Sequence, residues 1–326
     1  MLMKPAPKAE GIARDRRISM KKQCILLALT LLLSTGIGLA QAPTTPAPPA
    51  VKQQATPALW KVKGVHGTVY LFGTIHVMKK EVVWETPGVK TALKSSDTLY
   101  LEIADMDDAA VKSMQPIIMQ MGLDAEHPLS TKISKDDVAL LDSIAKEMGA
   151  PGESSFEPMK PWLVYLTLAV LPAVKSGYAP DSGIDKLLSA EAKSQNKTLK
   201  GFETVEQQVH YLADFPLAEQ VTLLHEELVD MPKSVKQLDE IVADWTRGEV
   251  EKIASIDNDE LKLKHPDLYD KLLVKRNADF ANVLAALLKD PGTGNIFVAV
   301  GAGHLAGPDS VQKMLEKKGF TVERDE

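Results

Sequence analysis

Cysteine is nearly absent from this chain of 326 residues, in which Cys24 is the single example. Cys24 lies before the apolar run of a predicted export signal, not at the cleavage end where lipoprotein acylation takes place. It therefore neither fits a lipoprotein site nor belongs to the mature protein. Without another thiol, the mature chain has no disulfide, no thiolate metal site and no cysteine nucleophile.

An excess of positive charge is also absent, because 44 acidic residues outnumber 38 lysines and arginines. The formal net charge is −6, and 44% of the residues are hydrophobic, which is typical of a globular protein with a buried core. An acidic chain lacks the excess positive charge that attracts nucleic acid or an anionic membrane surface. We therefore expect a globular protein that binds neither of them.

Long hydrophobic runs are missing as well. The apolar segments at residues 25–33 and 161–174 are both shorter than the roughly 20 residues that a membrane helix needs. The first follows several basic residues and precedes small residues that end at Ala42, a pattern typical of a cleaved export signal. The second predicts a buried helix. An uncleaved N-terminal anchor is the alternative for the first run.

These patterns predict three regions along the chain. Residues 1–42 form the export signal, with Met20 as an alternative start and cleavage after Ala40 or Ala42. Residues 43–57 are rich in proline, threonine and alanine and predict a flexible linker. Residues 58–326 form a single domain. The predicted location is periplasmic or secreted, with no integral membrane span after signal cleavage.

The same series of predicted elements occurs at both ends of this domain. "YLFGTIHV" and "FVAVGAGHL" each run an apolar strand into Gly-X-X-His, and each is followed by a helix with an early proline and by another strand. Between them, from about residue 107 to residue 280, apolar residues recur every three to four positions, as in helices. The sequence predicts an α/β fold, with a mixed β-sheet that contains duplicated strand and histidine units and a largely helical middle.

The two histidines of this repeat, His76 and His304, are candidate metal ligands. Both follow the end of a strand, where ligand sites of sheet proteins tend to lie, and neighbouring strands would direct both imidazoles into one pocket. Glu102, at the end of the next strand, would complete a set of three ligands with a position left for water. The alternatives are hydrogen-bonded histidines in a core or loop and an ion-paired carboxylate.

Several familiar catalytic motifs do not occur. The chain contains no His-Glu-X-X-His, no Gly-X-Ser-X-Gly and no phosphate-binding loop. Common zinc proteases, serine hydrolases and nucleotide-binding enzymes are therefore disfavoured.

Short motifs along the whole domain resemble those of the TraB/GumN/TIKI family. They are "LWKVKG", "YLFGTIHV", "LYLEI", "MKPW", "SGIDKLL", "GFETVEQQ", "KRN" and "FVAVGAGHLAG", in the family's order, over about residues 59–322. The resemblance implies a mixed α/β fold related to the erythromycin esterase and ChaN-like group. It also implies, from TIKI-type members, a metal-dependent protease supported by manganese or cobalt.

Carried over to this chain, the resemblance implies that His76, Glu102 and His304 are the metal ligands. It also matches Glu203 of "GFET" and the pair Arg276 and Asn277 of "KRN" to polar positions of the family, which we predict to be catalytic. Glu203 is either a general base or a residue that orients a histidine. Arg276 either stabilises an oxyanion or substrate carboxylate or forms an ordinary salt bridge.

A separate aspartate, Asp185 of "SGIDKLL", lies at a predicted helix start with Asp181 or Ser182 as the cap. A carboxylate in the first helical turn complements the helix dipole, so we interpret Asp185 as structural.

The combined prediction is an exported metal-dependent hydrolase that cleaves a peptide or amide bond through metal-activated water. The ion would be manganese, cobalt or zinc, and the partner a peptide or small-molecule substrate. The alternative is a non-catalytic ligand-binding or accessory protein in envelope or polysaccharide processes, because a fold can persist while its function changes.

Overall fold

The computed structural model describes residues 53–104 and 108–326. The predicted export signal, Cys24 and most of the predicted linker lie outside these residues. Residues 53–57, which their composition assigns to the linker, already contact the domain. Gln53–Gln54 pairs in parallel with Val82–Val83, and the apolar side chain of Ala55 is fully buried.

The strands of the described residues are β1 (Gln53–Gln54), β2 (Leu59–Lys63), β3 (Thr68–Thr74), β4 (Val82–Val83), β5 (Thr98–Ile103), β6 (Thr198–Glu203), β7 (Ile296–Gly301) and β8 (Val322–Arg324). Six of them form one mixed sheet in the order β6-β5-β7-β3-β2-β8. Strands β3, β5, β6 and β7 are parallel, whereas β2 is antiparallel to both β3 and β8. The predicted α/β fold with a mixed sheet is confirmed.

Helices fill the middle of the chain and also follow β3 and β7. The α-helices are α1 (Pro87–Ser95), α2 (Asp108–Gly122), α3 (Lys135–Glu147), α4 (Pro161–Lys175), α5 (Ile184–Ser194), α6 (Val205–Ala213), α7 (Leu217–Thr246), α8 (Val250–Ile253), α9 (Asp259–Lys264), α10 (Pro266–Tyr269), α11 (Lys275–Lys289) and α12 (Val311–Lys317). The described residues contain two π-helical turns, at Ala254–Asn258 and Asp270–Val274. Short 3₁₀ turns lie at Leu129–Thr131, Glu153–Ser155, Pro180–Ser182 and Ala302–Leu305.

The sheet is buried on both faces, because side chains that alternate along the central strands enter two separate cores. Phe297 and Ala299 of β7 belong to the larger core, whereas Val298 and Val300 belong to the smaller one. Central strands that are covered on both sides read as continuous apolar runs, which explains the sequence "IFVAV". Helices α4 and α7 pack on the larger core, and α11 and α12 pack on the smaller one.

The repeated units of the two ends lie side by side. Strands β3 and β7 are parallel neighbours, and Thr74 pairs with Gly301 at their ends. Both Gly-X-X-His turns therefore leave the sheet at the same edge. The early proline of the second unit does not start its helix. Helix α12 begins at Val311 after Ser310, and Pro308 lies in the preceding turn, where Gly307 has a φ of 78°.

Helix α4 is a buried helix, as its apolar sequence predicts. Most of its side chains belong to the larger core. Within the described part of the chain, no helix is both long enough and apolar enough to cross a membrane.

Candidate metal centre

Strand order brings the three predicted ligands together. Strand β7 lies between β3 and β5, so the residues that follow β3 and β7 meet Glu102 near the end of β5. The distance from His304 Nε2 to Glu102 Oε1 is 3.6 Å. His76 and Glu102 are 4% exposed and His304 is 1% exposed. The predicted residues therefore form one buried cluster at the carboxyl edge of the sheet.

Gly301 marks the space between these side chains. A β-carbon built on it would lie 3.2 Å from Glu102 Oε1, 3.4 Å from His76 Nε2 and 3.7 Å from His304 Cδ2. The missing side chain thus leaves a small cradle, which is bounded by Glu102 Oε1, His76 Nε2 and the ring of His304.

Asp185 holds the ring of His76. His76 Nδ1 lies 2.6 Å from Asp185 Oδ2, and the hydroxyl of Thr74 donates to Asp185 Oδ1 over 2.6 Å. Because a carboxylate accepts, Nδ1 carries the proton, and in the neutral ring Nε2 keeps its lone pair. Burial disfavours the charged imidazolium, but the Asp185 carboxylate outweighs burial and raises the pKa of His76. Metal binding at His76 would therefore compete with protons.

Asn277 holds the ring of His304 in the same way. Its Oδ1 lies 2.5 Å from His304 Nδ1, and its Nδ2 donates to the carbonyl of Asp309 over 2.8 Å, which fixes the orientation of the amide. Burial, together with the nearby charge of Arg276, lowers the pKa of His304 to about 3. His304 is therefore neutral at physiological pH, with its free lone pair on Nε2.

The two Nε2 atoms have unusual surroundings. Both are fully buried, and neither has a hydrogen-bond partner in the described structure. Buried polar atoms nearly always have a partner, so a pair of unpartnered imidazole nitrogens around one cradle needs an explanation. Neutral imidazole whose other nitrogen donates to an oxygen is the form of histidine that binds metals.

The side chains do not themselves form a finished coordination shell. Among residues 53–104 and 108–326, no group of three or more histidine, cysteine, aspartate or glutamate side chains is arranged so that it could hold a metal ion. The donor atoms are nevertheless of the types that bind divalent ions. Two imidazole nitrogens and one carboxylate form the protein part of many catalytic metal sites.

Glu102 is held in its charged form. Its Oε1 accepts the backbone N–H of Gly301 over 2.7 Å, and its Oε2 accepts from Arg276 Nη2 over 2.7 Å. Burial raises the pKa of a carboxyl group, but the Arg276 guanidinium outweighs burial here and holds the pKa of Glu102 well below its usual range. Glu102 is therefore a carboxylate at any physiological pH.

Arg276 joins Glu102 to Glu203. Its Nε donates to Glu203 Oε1 and its Nη2 to Glu203 Oε2, both over 2.7 Å, while its Nη1 donates to the carbonyl of Leu272. Glu203 Oε1 also accepts from the hydroxyl of Tyr211 over 3.0 Å. These bonds engage four of the five N–H groups of Arg276, and each Glu203 oxygen already accepts a hydrogen bond. This geometry favours a role for both in positioning Glu102.

Two residues of the cluster were not among the predicted site residues. Asp185 was interpreted as a helix-start residue, and it does lie in the first turn of α5, although the cap is Gly183. Gln208 Nε2 donates to Glu102 Oε2 over 3.2 Å and to Glu203 Oε2 over 3.0 Å. Both lie inside motifs that resemble those of the family, "SGIDKLL" and "GFETVEQQ", and the sequence contains no other sign of their role.

Comparison with known proteins identifies the family. The family described as TraB/PrgY/gumN matches residues 58–324, almost the whole of the predicted domain. The chain belongs to the TraB/PrgY/gumN family. The predicted family membership is confirmed, and the match also places the histidine units of both ends inside a single family region.

Relatives of this TraB/PrgY/gumN chain include uncharacterised and named proteins. The uncharacterised protein YbaP of Escherichia coli (strain K12) is 28% identical over 76% of this chain and 87% of its own length. An uncharacterised protein of Treponema pallidum is 24% identical over 90% of this chain and 89% of its own length. Metalloprotease TIKI2 of Danio rerio is 25% identical over 84% of this chain, but the match spans only 62% of TIKI2. No solved structure matches the chain significantly.

A Gly301→Ala substitution tests the cradle. Gly301 has φ −49° and ψ 138°, which alanine also adopts, so we expect the fold to persist. The added methyl group would lie 3.2 Å from Glu102 Oε1, inside the space that an ion would need. We expect at least a roughly tenfold loss of affinity for Mn²⁺, comparable to the loss of a supporting residue. Calorimetric titration would measure it, with Gly292→Ala in an exposed loop as the control. Equal affinities in both variants would rule out the cradle as the ion's position.

Proposed function

We propose that this protein is an exported, metal-dependent hydrolase that cleaves a peptide or amide bond. The observation that carries the proposal is the pair of buried, unpartnered Nε2 atoms of His76 and His304 beside Glu102 Oε1. In this proposal these three side chains hold a manganese, cobalt or zinc ion. Imidazole and carboxylate ligands suit all three metals.

The charge of the cluster supports a divalent cation. The buried carboxylates of Glu102, Glu203 and Asp185 outnumber the single guanidinium of Arg276 by two negative charges when both histidines are neutral. Uncompensated charge is costly to bury, and two positive charges would neutralise the cluster. A monovalent cation would leave it negative.

The surrounding residues have distinct roles in this proposal. Asp185 and Asn277 hold the imidazole tautomers that leave Nε2 free, and Arg276, clamped by Glu203, holds Glu102 in its charged form. Burial of the cluster excludes bulk water, which strengthens every electrostatic interaction inside it. A divalent ion bound there would supply a water of lowered pKa and would polarise a substrate carbonyl.

The relatives support the proposed reaction class less strongly than they support family membership. The named relative TIKI2 is a metalloprotease, but it is 25% identical and the match spans 62% of its length. Cleavage of a peptide, rather than of another amide, is therefore part of the proposal. Export rests on the predicted signal in residues 1–42.

Metal-dependent cleavage is the direct test. The purified protein would be freed of metal with a chelator, reloaded with Mn²⁺, Co²⁺ or Zn²⁺, and incubated with a diverse peptide mixture that is analysed by mass spectrometry. We expect new termini that appear only after reloading and that are absent with a His76→Ala/His304→Ala variant. Cleavage that persists in this variant would point to a contaminating protease and contradict the proposal.

A second candidate function is metal or ligand binding without turnover. One observation favours it: both oxygens of Glu203, for which general base is one of the two predicted roles, already accept hydrogen bonds from Arg276. An accessory protein of this kind would bind one divalent ion and leave every peptide in the mixture intact. The same experiment, combined with elemental analysis, therefore separates the two functions.

A further inference from the structure

The backbone turn that carries His304 has a second support besides Asn277. His304 lies in the short 3₁₀ turn Ala302–Leu305, and the side-chain amide of Asn258 donates to the carbonyls of Gly303 and Ala306, each over 3.0 Å. These two carbonyls flank His304 on either side. Asn277 thus holds the ring of His304, and Asn258 holds its backbone.

Asn258 reaches this turn because of a π-helical segment. The continuous helix that begins with α8 contains the π turn Ala254–Asn258 before it continues as α9. A π turn adds one residue to the helical repeat, which rotates the residues that follow relative to those before it. Here Asn258 is 3% exposed. Single π turns inside α-helices are found often at functional sites.

The environment of Asn258 is otherwise unfavourable. Its Oδ1 is buried and has no hydrogen-bond partner within the described residues, because the amide must turn its N–H groups toward the two carbonyls. An apolar side chain of similar volume would avoid this unpartnered oxygen. A buried asparagine in such a place is therefore explained better by the turn that it holds than by core packing.

The other π turn accepts a hydrogen bond from Arg276. The segment Asp270–Val274 ends just before Arg276, and its Leu272 carbonyl accepts from Arg276 Nη1 over 3.1 Å. Both π turns of the described chain thus provide a contact to the cluster around Glu102, although they lie in separate helices.

We propose that Asn258 is a positioning residue, which fixes the backbone of His304 so that its Nε2 faces the cradle at Gly301. This inference rests on the proposed metal site. Asn258 itself does not touch the cradle, so its effect would act through His304 alone. Loss of the two hydrogen bonds would free the turn to move without removing any ligand.

The test uses the full chain with Asn258→Leu, which keeps a γ-branched side chain without the amide groups, and Asn258→Ala, which removes the side chain beyond the β-carbon. Ser255→Ala is the matched control, because Ser255 lies in the same π turn but is exposed and bonds only within its own helix. The measurements are Mn²⁺ affinity by calorimetry, the visible absorption bands of bound Co²⁺, which report ligand geometry, and the thermal midpoint.

We expect both Asn258 variants to bind Mn²⁺ about 10 to 100-fold more weakly than the wild type, as for other residues that orient metal ligands, and to shift the Co²⁺ bands. The control should match the wild type in both. Wild-type affinity and bands in Asn258→Leu would overturn the inference, and so would unfolding of both variants, since Asn258 would then maintain the fold. A wild type that binds neither ion would instead overturn the proposed function.

Discussion

A His76→Ala/His304→Ala variant is expected to lose its bound divalent ion altogether. After reloading with Mn²⁺, Co²⁺ or Zn²⁺ and removal of excess metal, we expect about one ion per wild-type chain and none per variant chain. Changing one outer residue typically costs 10 to 100-fold in metal affinity, so the loss of two direct ligands should exceed that range. Elemental analysis by mass spectrometry measures the stoichiometry.

The control for this experiment is a His127→Ala/His210→Ala variant. Both of these histidines are exposed and paired with a nearby aspartate, at Asp124 and Asp214. Their removal should leave the ion count unchanged. Equal metal content in all three proteins would mean that the ion lies elsewhere, and the shared site at the carboxyl edge of the sheet would be rejected.

An Arg276→Met variant is expected to be destabilised by about 3–5 kcal/mol, because removing one partner of a buried ion pair leaves the other charges uncompensated. Arg276 is 2% exposed, and its loss would leave the buried carboxylates of Glu102 and Glu203 without their guanidinium. Methionine fills a similar volume, so a cavity contributes little to the loss. Urea unfolding at pH 7 measures the change.

The difference in stability between the wild type and Arg276→Met depends on pH in a definite direction. The pKa of Glu102 is depressed in the folded wild type, chiefly because Arg276 outweighs burial, so the pair contributes stability above the unfolded glutamate pKa of about 4.3. That contribution is lost as pH falls toward the depressed folded value. In the variant, burial without a partner raises the Glu102 pKa, and protonation relieves the penalty. We therefore expect the two stabilities to converge in acid.

Two further variants control the Arg276 result. Arg247→Met removes an exposed arginine that is paired with Asp244 and Glu249, and it should change the stability little. Glu203→Gln keeps one oxygen as an acceptor for Arg276, so its cost should be smaller than that of Arg276→Met. If Glu203→Gln instead abolished turnover while metal binding and stability stayed normal, Glu203 would be the general base and our positioning role would be wrong.

The sequence predicts the residues of the cluster better than their connections. His76 and His304 stand out because each ends a Gly-X-X-His motif at the end of a strand. This local pattern is the same whatever the order of the strands in the sheet. Their meeting depends on the insertion of β7 between β3 and β5, which no local pattern reports. The same reason applies to Arg276 and Glu203. They are 73 positions apart, and a lone charged residue does not reveal its partner.

Asp185 and the linker show two other limits. An aspartate in the first turn of a helix satisfies the helix dipole wherever it points, so the pattern cannot reveal that Asp185 also holds His76. The linker was predicted from proline-rich composition, yet Gln53–Gln54 pairs with Val82–Val83 through backbone hydrogen bonds, which depend little on side-chain type. Sequence pattern and composition do not predict contacts that depend on backbone or side-chain pairing between residues far apart in the chain.

The position of β7 also bears on how the molecule folds. Strands β3 and β5 are near in sequence but have no pairing with each other, and both pair with β7, which begins only at Ile296. Such a sheet has a high contact order. It is completed late in folding, because the chain must close a loop of more than two hundred residues before Thr74 can pair with Gly301. A chain that emerges from its N-terminus first would therefore keep His76 and Glu102 apart from His304 until synthesis is nearly complete. Truncated fragments that end before β7 would lack both the complete sheet and the cluster of His76, Glu102 and His304.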